Sequence, residues 1–355
     1  MRLEARAHAG WRDALRAGGV ALVVVMGVAA LLVAAAGAPV AQTFGLMFSG
    51  AFGSLFAISE TLTRAIPLMF TGLAVTVAFR ARLFNIGAEG QLYAGAIAAV
   101  AVGGGALEGP SPWLFAAMLA ASVAAGAALL LGPALMKLFW GVDEVVTTLL
   151  LNFVVLLGVG ALLDGPMKDP AAMGWPQSVA LIGELELSRL IPQTRVHTGL
   201  LFGMCAAVAL WLLLRFTTWG FDIRALGANS RAAAFAGVAA TRTMVLAAVL
   251  SGGLAGLGGA IEVAGRAGYV TLDMSPGYGY TGIVIAMLAG LHPLVVVGAS
   301  MLVAGVLVGA DSMSRHIGVP TYLADVVVAC ALLAVLTAGM LARYRLRFDR
   351  ARAPA

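Results

Sequence analysis

WLFAAMLAASVAAGAALLLGPALM, residues 113–136, carries no charged side chain from its first residue to its last. A helix of roughly 20 apolar residues crosses the hydrocarbon core of a bilayer, and this run exceeds that length. Similar runs lie at 18–38, 64–79, 145–164, 198–214, 243–263, 294–312 and 321–341. Two more are interrupted or short. Residues 83–105 open with LFNIGAEGQL and close in Gly103-Gly104-Gly105, and 278–291, YGYTGIVIAMLAGL, are too few to span as one straight helix. The reading is an all-α, polytopic membrane protein with about ten transmembrane segments, some of them broken. The first run ends in Ala36-Gly37-Ala38, which resembles a signal-peptidase site. Its apolar stretch is longer than a signal peptide's, so an uncleaved anchor is expected.

Composition agrees. Of 355 residues, 61% are hydrophobic and 11% charged, and the mean hydropathy is +0.98. A soluble domain averages about 45–50% apolar and about 25% charged, and no water-soluble core has volume enough for this excess. The 45 glycines are scattered through apolar runs, where small residues let membrane helices approach closely. Cys205 and Cys330 both fall in apolar runs and imply neither a disulfide framework nor a metal site. The net charge of +5 is no nucleic-acid signal, because the basic residues sit in loops and tails.

Those basic residues set the orientation. With both termini cytoplasmic, the inside receives Arg2, Arg6, Arg12, Arg16, Arg80, Arg82, Lys137, Arg215, Arg224, Arg231, Arg242 and the five arginines of 343–352. The outside receives Arg64, Lys168, Arg189, Arg195, Arg266 and Arg315. That bias follows the positive-inside rule. The chain then divides into a cytoplasmic tail at 1–17, a transmembrane domain at 18–341 and a basic cytoplasmic tail at 342–355. The longest outside loop is 165–197, and the longest inside loop is 215–242.

What is missing excludes several chemistries. A phosphate-binding loop needs Gly-Lys-Ser/Thr, yet Met136 and Met167 precede the only two lysines, Lys137 and Lys168. His8, His197, His292 and His316 are isolated, without metal-ligand spacing. No Gly-x-Ser-x-Gly elbow occurs. No catalytic residue and no metal ligand is therefore assigned, and no cofactor is expected on this chain. A membrane enzyme would need a catalytic cluster at one interface. A passive scaffold would leave the polar breaks in the membrane unexplained.

The inside loop reads RFTTWGFDIRALGANSRAAAFAGVAATR. Asn229 and Ser230 are good N-caps, Arg231 to Ala236 favours helix, and Gly237 suits the left-handed position after a helix. The result is a short helix lying on the basic face, either a plain connector or a docking element for a cytoplasmic motor.

Five stretches together resemble one family: LFNIGAEGQ at 83–91, VDEVVTTLLLN at 142–152, ALGANSRAAAFAGV at 225–238, SGGLAGLGGAIEVAG at 251–265 and GYGYTGIVIAMLAGLHPL at 277–294. They are similar to the nucleoside-type permeases of ATP-binding-cassette importers that work with basic-membrane-protein-type lipoproteins, relatives of the ribose and branched-chain amino acid permeases. The likeness runs from about residue 60 to 341. Two positions depart from it: Asp143 replaces the family's Asn, and His292-Pro293 replaces its Asn-Pro.

The resemblance implies a subunit of the bacterial inner membrane that forms half of a translocation pathway. A second permease, commonly a different chain, would form the other half. ATP and Mg would act on separate ATP-binding subunits, and an extracytoplasmic lipoprotein would deliver the solute. Nucleosides are the first expectation, then simple sugars, then branched-chain amino acids. An ion-coupled secondary transporter is the alternative mechanism, with Glu89 and Glu262 its only carboxylate candidates. The coupling region is expected at about 222–238, with Arg224, Gly227, Asn229, Ser230, Arg231, Ala233 and Gly237. Arg224 and Arg231 either pair with acidic groups of the motor or simply enforce topology.

Polar residues inside the membrane are costly and usually face protein or water. Asn85, Glu89 and Gln91 sit where Gly87 and Gly90 are expected to break the helix, and such breaks persist only when buried or lining a cavity. Glu89 either lines the pathway, satisfies nearby amides or pairs with Arg80 or Arg82. Asn152 either contacts solute or bonds a neighbouring helix. Glu262 lies beyond a small-residue face (Ser251, Gly252, Ala255, Gly256, Gly259) that marks tight packing. Tyr278 and Tyr280 either stack on a ring or mark the interface. Asp311 and Asp325 lie at span edges and are read as hydrated there.

Overall fold

A computed structural model describes residues 2–5, 19, 23–24, 27–35, 37, 39–105, 107–317, 326, 329–330, 333–334, 337 and 344–347. Among these the chain is helical: α1 (Gly27–Ala35), α2 (Val40–Phe52), α3 (Leu55–Arg80), α4 (Ala88–Gly103), α5 (Ser111–Trp140), α6 (Glu144–Asp164), α7 (Gly199–Phe216), α8 (Thr218–Ala228), α9 (Ser230–Phe235), α10 (Ala240–Glu262), α11 (Tyr278–Leu288) and α12 (Pro293–Ile317). The exception to an all-helical reading is a short antiparallel pairing of the two tails, β1 (Arg2–Ala5) with β2 (Tyr344–Arg347).

Six described helices, α3, α5, α6, α7, α10 with its continuation to Ala267, and α12, are long and apolar enough to cross a membrane. A seventh arises if α1 and α2, bent by 116°, form one span. The expected segments at 83–105 and 278–291 prove to be helices of 16 and 11 residues. The expected span at 321–341 lies largely outside the described residues, as do Asp325, the ends of the first run and most of both tails. Helix α2 was not foreseen, because Gln42, Thr43, Gly45, Ser49 and Gly50 interrupt its apolar pattern.

The described chain divides into two compact units, Met1–Ala57 with Gly305–Ala355 and Ile58–Ala304. In the first, Val33 of α1 is buried with Ala310 and Met313 of α12. Close backbone approach joins α2 to α12: a Cβ on Gly309 would stand 2.5 Å from the Met47 carbonyl oxygen.

In the second unit, α4, α5 and α10 form the centre. Their contact is backbone against backbone. A Cβ on Gly252 would meet the Gly126 oxygen at 2.3 Å, one on Gly256 the Ser122 oxygen at 2.2 Å, and one on Gly259 the Leu92 oxygen at 1.9 Å. The small-residue face read in the sequence is thus the seam of three helices. Ser122 Oγ seals it by donating to the Gly95 carbonyl at 2.8 Å. Helix α3 is also buried along most of its length, whereas only a minor share of α5, α6 and α7 is buried. On α6, Val146, Leu150, Phe153, Val154 and Leu157 make one exposed apolar stripe, as a lipid- or subunit-facing helix requires.

The loop 165–197 folds back over the ends of α4 and α10. Its backbone finds partners there: Leu181 N donates to Gly268 O, Ile182 N to Gly103 O, and Leu187 N to Ala264 O, all within 2.9 Å. A covered loop must be satisfied in this way.

Candidate functional site

The site begins where α3 stops. Arg82 N donates to Phe79 O and Leu83 N to Ala78 O, a Schellman ending, and Arg82 holds φ 55°, the position glycine usually takes. Residues 83–87 then run without helix until α4 starts at Ala88. The break is where the sequence placed it, with one correction. Gly87 caps α4, but Gly90 lies inside the helix, where its missing side chain makes room for Asn152.

Polar side chains of α6, spaced four residues apart, hold this segment by its backbone. Glu144 Oε1 accepts from Phe84 N at 3.1 Å. Thr148 Oγ1 accepts from Ile86 N at 3.2 Å. Asn152 Oδ1 accepts from Gly90 N at 2.9 Å, while its Nδ2 donates to Ile86 O at 2.9 Å and to Tyr280 Oη at 3.1 Å. Lys137 anchors the lower end, pairing with Glu144 and donating to Arg82 O at 2.8 Å. On the other side, Asn85 and Gln91 exchange amide hydrogen bonds at 2.9 Å, and Asn85 donates to Ser251 Oγ at 3.0 Å. Of the two readings left open for Asn152, the geometry favours the bond to neighbouring helices.

Helix α11 begins against this break. A Cβ on Gly279 would lie 2.1 Å from Glu89 N, and Gly279 N donates to Glu89 Oε2 at 2.6 Å. Glu89 therefore sits at the start of two helices at once, where a negative charge is favoured. It satisfies a backbone amide, as one reading had it. Arg80 Nε is turned instead to Leu291 O at 2.7 Å. Tyr93 Oη donates to Leu272 O and accepts from Ser275 N at 3.1 Å, fixing the loop before α11.

At the far end of α10, Glu262 is wholly buried and forms an i,i+4 pair with Arg266 at 2.5 Å. Arg266 also reaches Tyr278 Oη at 3.4 Å. Tyr278 is buried with Glu262, whereas Arg266 and Tyr280 are partly exposed. His197, from the loop 165–197, packs its ring against Gly265 and accepts from Gly199 N through Nδ1 at 3.2 Å. Burial and the nearby Arg266 charge push its pKa down to about 4. An open cavity of about 420 Å³ lies here, lined by Arg189, Arg195, Arg266, Tyr269, Thr271 and Asp273.

The seven pathway candidates, Asn85, Glu89, Gln91, Asn152, Glu262, Tyr278 and Tyr280, fall in two neighbouring networks around α4 and α11. The coupling candidates lie apart from them. Asn229 Oδ1 accepts from Arg231 N and Ala232 N, both at 3.1 Å, so Asn229 alone is the cap and Ser230 is the first helical residue. Gly237, at φ 87°, closes α9: its N–H donates to Ala234 O and that of Val238 to Ala233 O. Ala233 is buried and Arg231 exposed. On α8, Arg224 donates to Leu214 O, and Gly227 rests on α3, a Cβ there standing 1.8 Å from Arg80 O.

Sequence reasoning missed Lys137, Glu144, Thr148, Tyr93, His197 and Arg266, and raised Arg80 only as a candidate partner of Glu89. The four-residue spacing of Glu144, Thr148 and Asn152 was a usable signal, since it puts three polar groups on one helix face.

The family described as branched-chain amino acid transport system / permease component matches residues 57–336. The chain is 32% identical to the guanosine ABC transporter permease protein NupP of Bacillus subtilis over 331 residues, 93% of each chain. It is 36% identical to the glucose ABC transporter permease protein TsgB13 of Haloferax volcanii over 323 residues, 87% of this chain and 84% of that one. It is 30% identical to the nucleoside ABC transporter permease protein NupB of Lactococcus lactis over 294 residues, 81% of this chain and 80% of that one. With buried polar breaks between membrane-length helices and a family match across most of its length, this chain belongs to the branched-chain amino acid transport system / permease component family, as a multi-pass permease subunit of an ATP-driven importer.

Proposed function

We propose that this permease subunit carries nucleosides inward across a bacterial inner membrane. The observation that carries the reading is the 32% identity to a guanosine permease across 93% of both chains. A permease of this class implies an ATPase and a substrate-binding partner. In this reading the ATP-binding subunit, with its ATP and Mg, docks on α8 and α9 through residues 222–238. A second permease chain completes the pathway, and a lipoprotein approaches the outer loop. Ten segments with both termini cytoplasmic remain our topology. The β1–β2 pairing supports an even number of crossings, because paired tails share a side.

In this reading the pathway residues act chiefly by fixing the breaks before α4 and α11, with the partly exposed Tyr280 nearest to the solute. Sugar import is the second reading, favoured by the 36% identity to a glucose permease. Reconstituted importer with its partner subunits and labelled guanosine or glucose decides. ATP-dependent guanosine uptake that excess glucose leaves unchanged supports the first. Glucose uptake without guanosine uptake replaces it with the second.

A further inference from the structure

Arg80, in the last turn of α3, touches three pieces of the second unit at once. Its carbonyl is covered by Gly227 of α8, so closely that a single methyl group there would stand 1.8 Å away. Its Nε donates to Leu291 O at 2.7 Å, at the corner between α11 and α12. Its own chain turns two residues later, at Arg82, into the non-helical segment 83–87. Arg224, also on α8, sets a like charge near its guanidinium.

The two corners share a construction. Both α3 and α11 end in Schellman pairs, Arg82 N to Phe79 O with Leu83 N to Ala78 O, and Gly290 N to Met287 O with Leu291 N to Ala286 O. In the first corner Arg82 itself takes the left-handed position at φ 55°; in the second Gly290 takes it at φ 59°, and Leu291 after it is held left-handed as well, at φ 58°. Such conformations persist only where the surroundings impose them, and they cluster where a structure switches. One corner leads into the break before α4, and the other closes α11, whose start is held by Glu89 of α4. A shift of α8 against α3 would therefore press on both corners through one residue. Packed contacts of this kind transmit displacement without needing a flexible intermediate.

We propose that Arg80 is the positioning residue that transmits movement of α8 to the two corners, and so lets the ATPase reset the breaks before α4 and α11 together. The proposal rests on the docking of the ATP-binding subunit at α8–α9.

The test uses the assembled importer with Cys205→Ser and Cys330→Ser as background. Phe84→Cys, at a position 43% exposed, reports on the break. Its maleimide labelling rate is compared without nucleotide and with ATP and vanadate, and Ser230→Cys is cross-linked to the ATP-binding subunit in parallel. We expect ATP to change the labelling rate by about tenfold, within the range of coupling carried by single side chains. Arg80→Met and Gly227→Ala should abolish that change while the cross-link persists, and Arg80→Lys should retain part of it. A full response in Arg80→Met, with the cross-link intact, overturns the relay alone. Loss of the cross-link in Arg80→Met but not in the background makes Arg80 part of the docking surface and also overturns it. If Arg80→Met is not recovered from membranes, the Arg80→Lys and Gly227→Ala pair decides, an unchanged response in both being fatal. No cross-link in the background removes the docking reading and the relay with it.

Discussion

Asn152 shows what a single side chain does in this protein. It supplies partners to Ile86 O, Gly90 N and Tyr280 Oη, and so ties three elements at a depth where water is scarce. Asn152→Leu strands those groups. Each unsatisfied buried group costs about 1–3 kcal/mol, so the melting temperature of the purified subunit should drop well below that of Val154→Ala, an exposed control on the same helix. Equal melting would mean that the ladder holds nothing. His197 makes a second prediction. Its folded pKa of about 4 lies below the ordinary value of 6.5. The unfolded chain therefore binds the proton first as pH falls, and stability present in full above 6.5 is lost progressively toward 4, on the order of 3 kcal/mol in total. Thermal melts in detergent across that window should show the decline, and His197→Gln should flatten it. For Asn152 the sequence offered a bond to a neighbouring helix as one of two readings without its partners, and the role of His197 was not legible. A lone His or Asn in a sequence is defined by its contacts, and these lie on segments up to 128 residues away.

At the scale of the element, legibility was better wherever the determinant is local. Helix α9 was readable to within a residue because its cap, its Ala-rich body and its closing glycine follow one another directly. The small-residue face of α10 was readable because helical spacing alone brings those positions together. What it packs against was not, since Gly126 and Leu92 belong to other helices. Helix α2 escaped notice because polar and small residues dilute its apolar run. The seam also makes a prediction. Gly256→Leu would drive a side chain into the Ser122 carbonyl, which stands 2.2 Å from the first added carbon. Overpacking costs typically about 1–3 kcal/mol where neighbours can yield, and backbone cannot. The variant should therefore be recovered as aggregate by size-exclusion chromatography. Gly132→Leu, at an exposed position of α5 with open space around it, should remain monodisperse.

For the whole molecule, the positive-inside bias and the family likeness were enough to expect a permease, and the family match bears that out. The number of crossings was harder, because half-length helices such as α4 and α11 are invisible to a rule based on span length. Orientation is open to direct measurement. Met173, fully exposed in the loop 165–197, and Ser230, exposed at the start of α9, suit cysteine labelling; Ser178, in the same loop as Met173, is buried and does not. In intact cells Met173→Cys should react with an impermeant maleimide, and Ser230→Cys only after permeabilisation. The reverse pattern would turn the protein over.

The hold of α6 on segment 83–87 also bears on how the protein is made. Phe84 and Ile86 offer backbone amides that Glu144 and Thr148 satisfy only about 60 residues later in synthesis. At about 5–20 residues per second, that is a wait of several seconds on the ribosome. Unpaired amides are not tolerated in lipid. The less exposed Ile86 amide is therefore expected to keep the nascent α4 beside the insertion machinery until α6 emerges, and a photo-crosslinker at Phe84 should remain attached to the translocon in chains truncated before Glu144 and be released in chains that extend past Asp164.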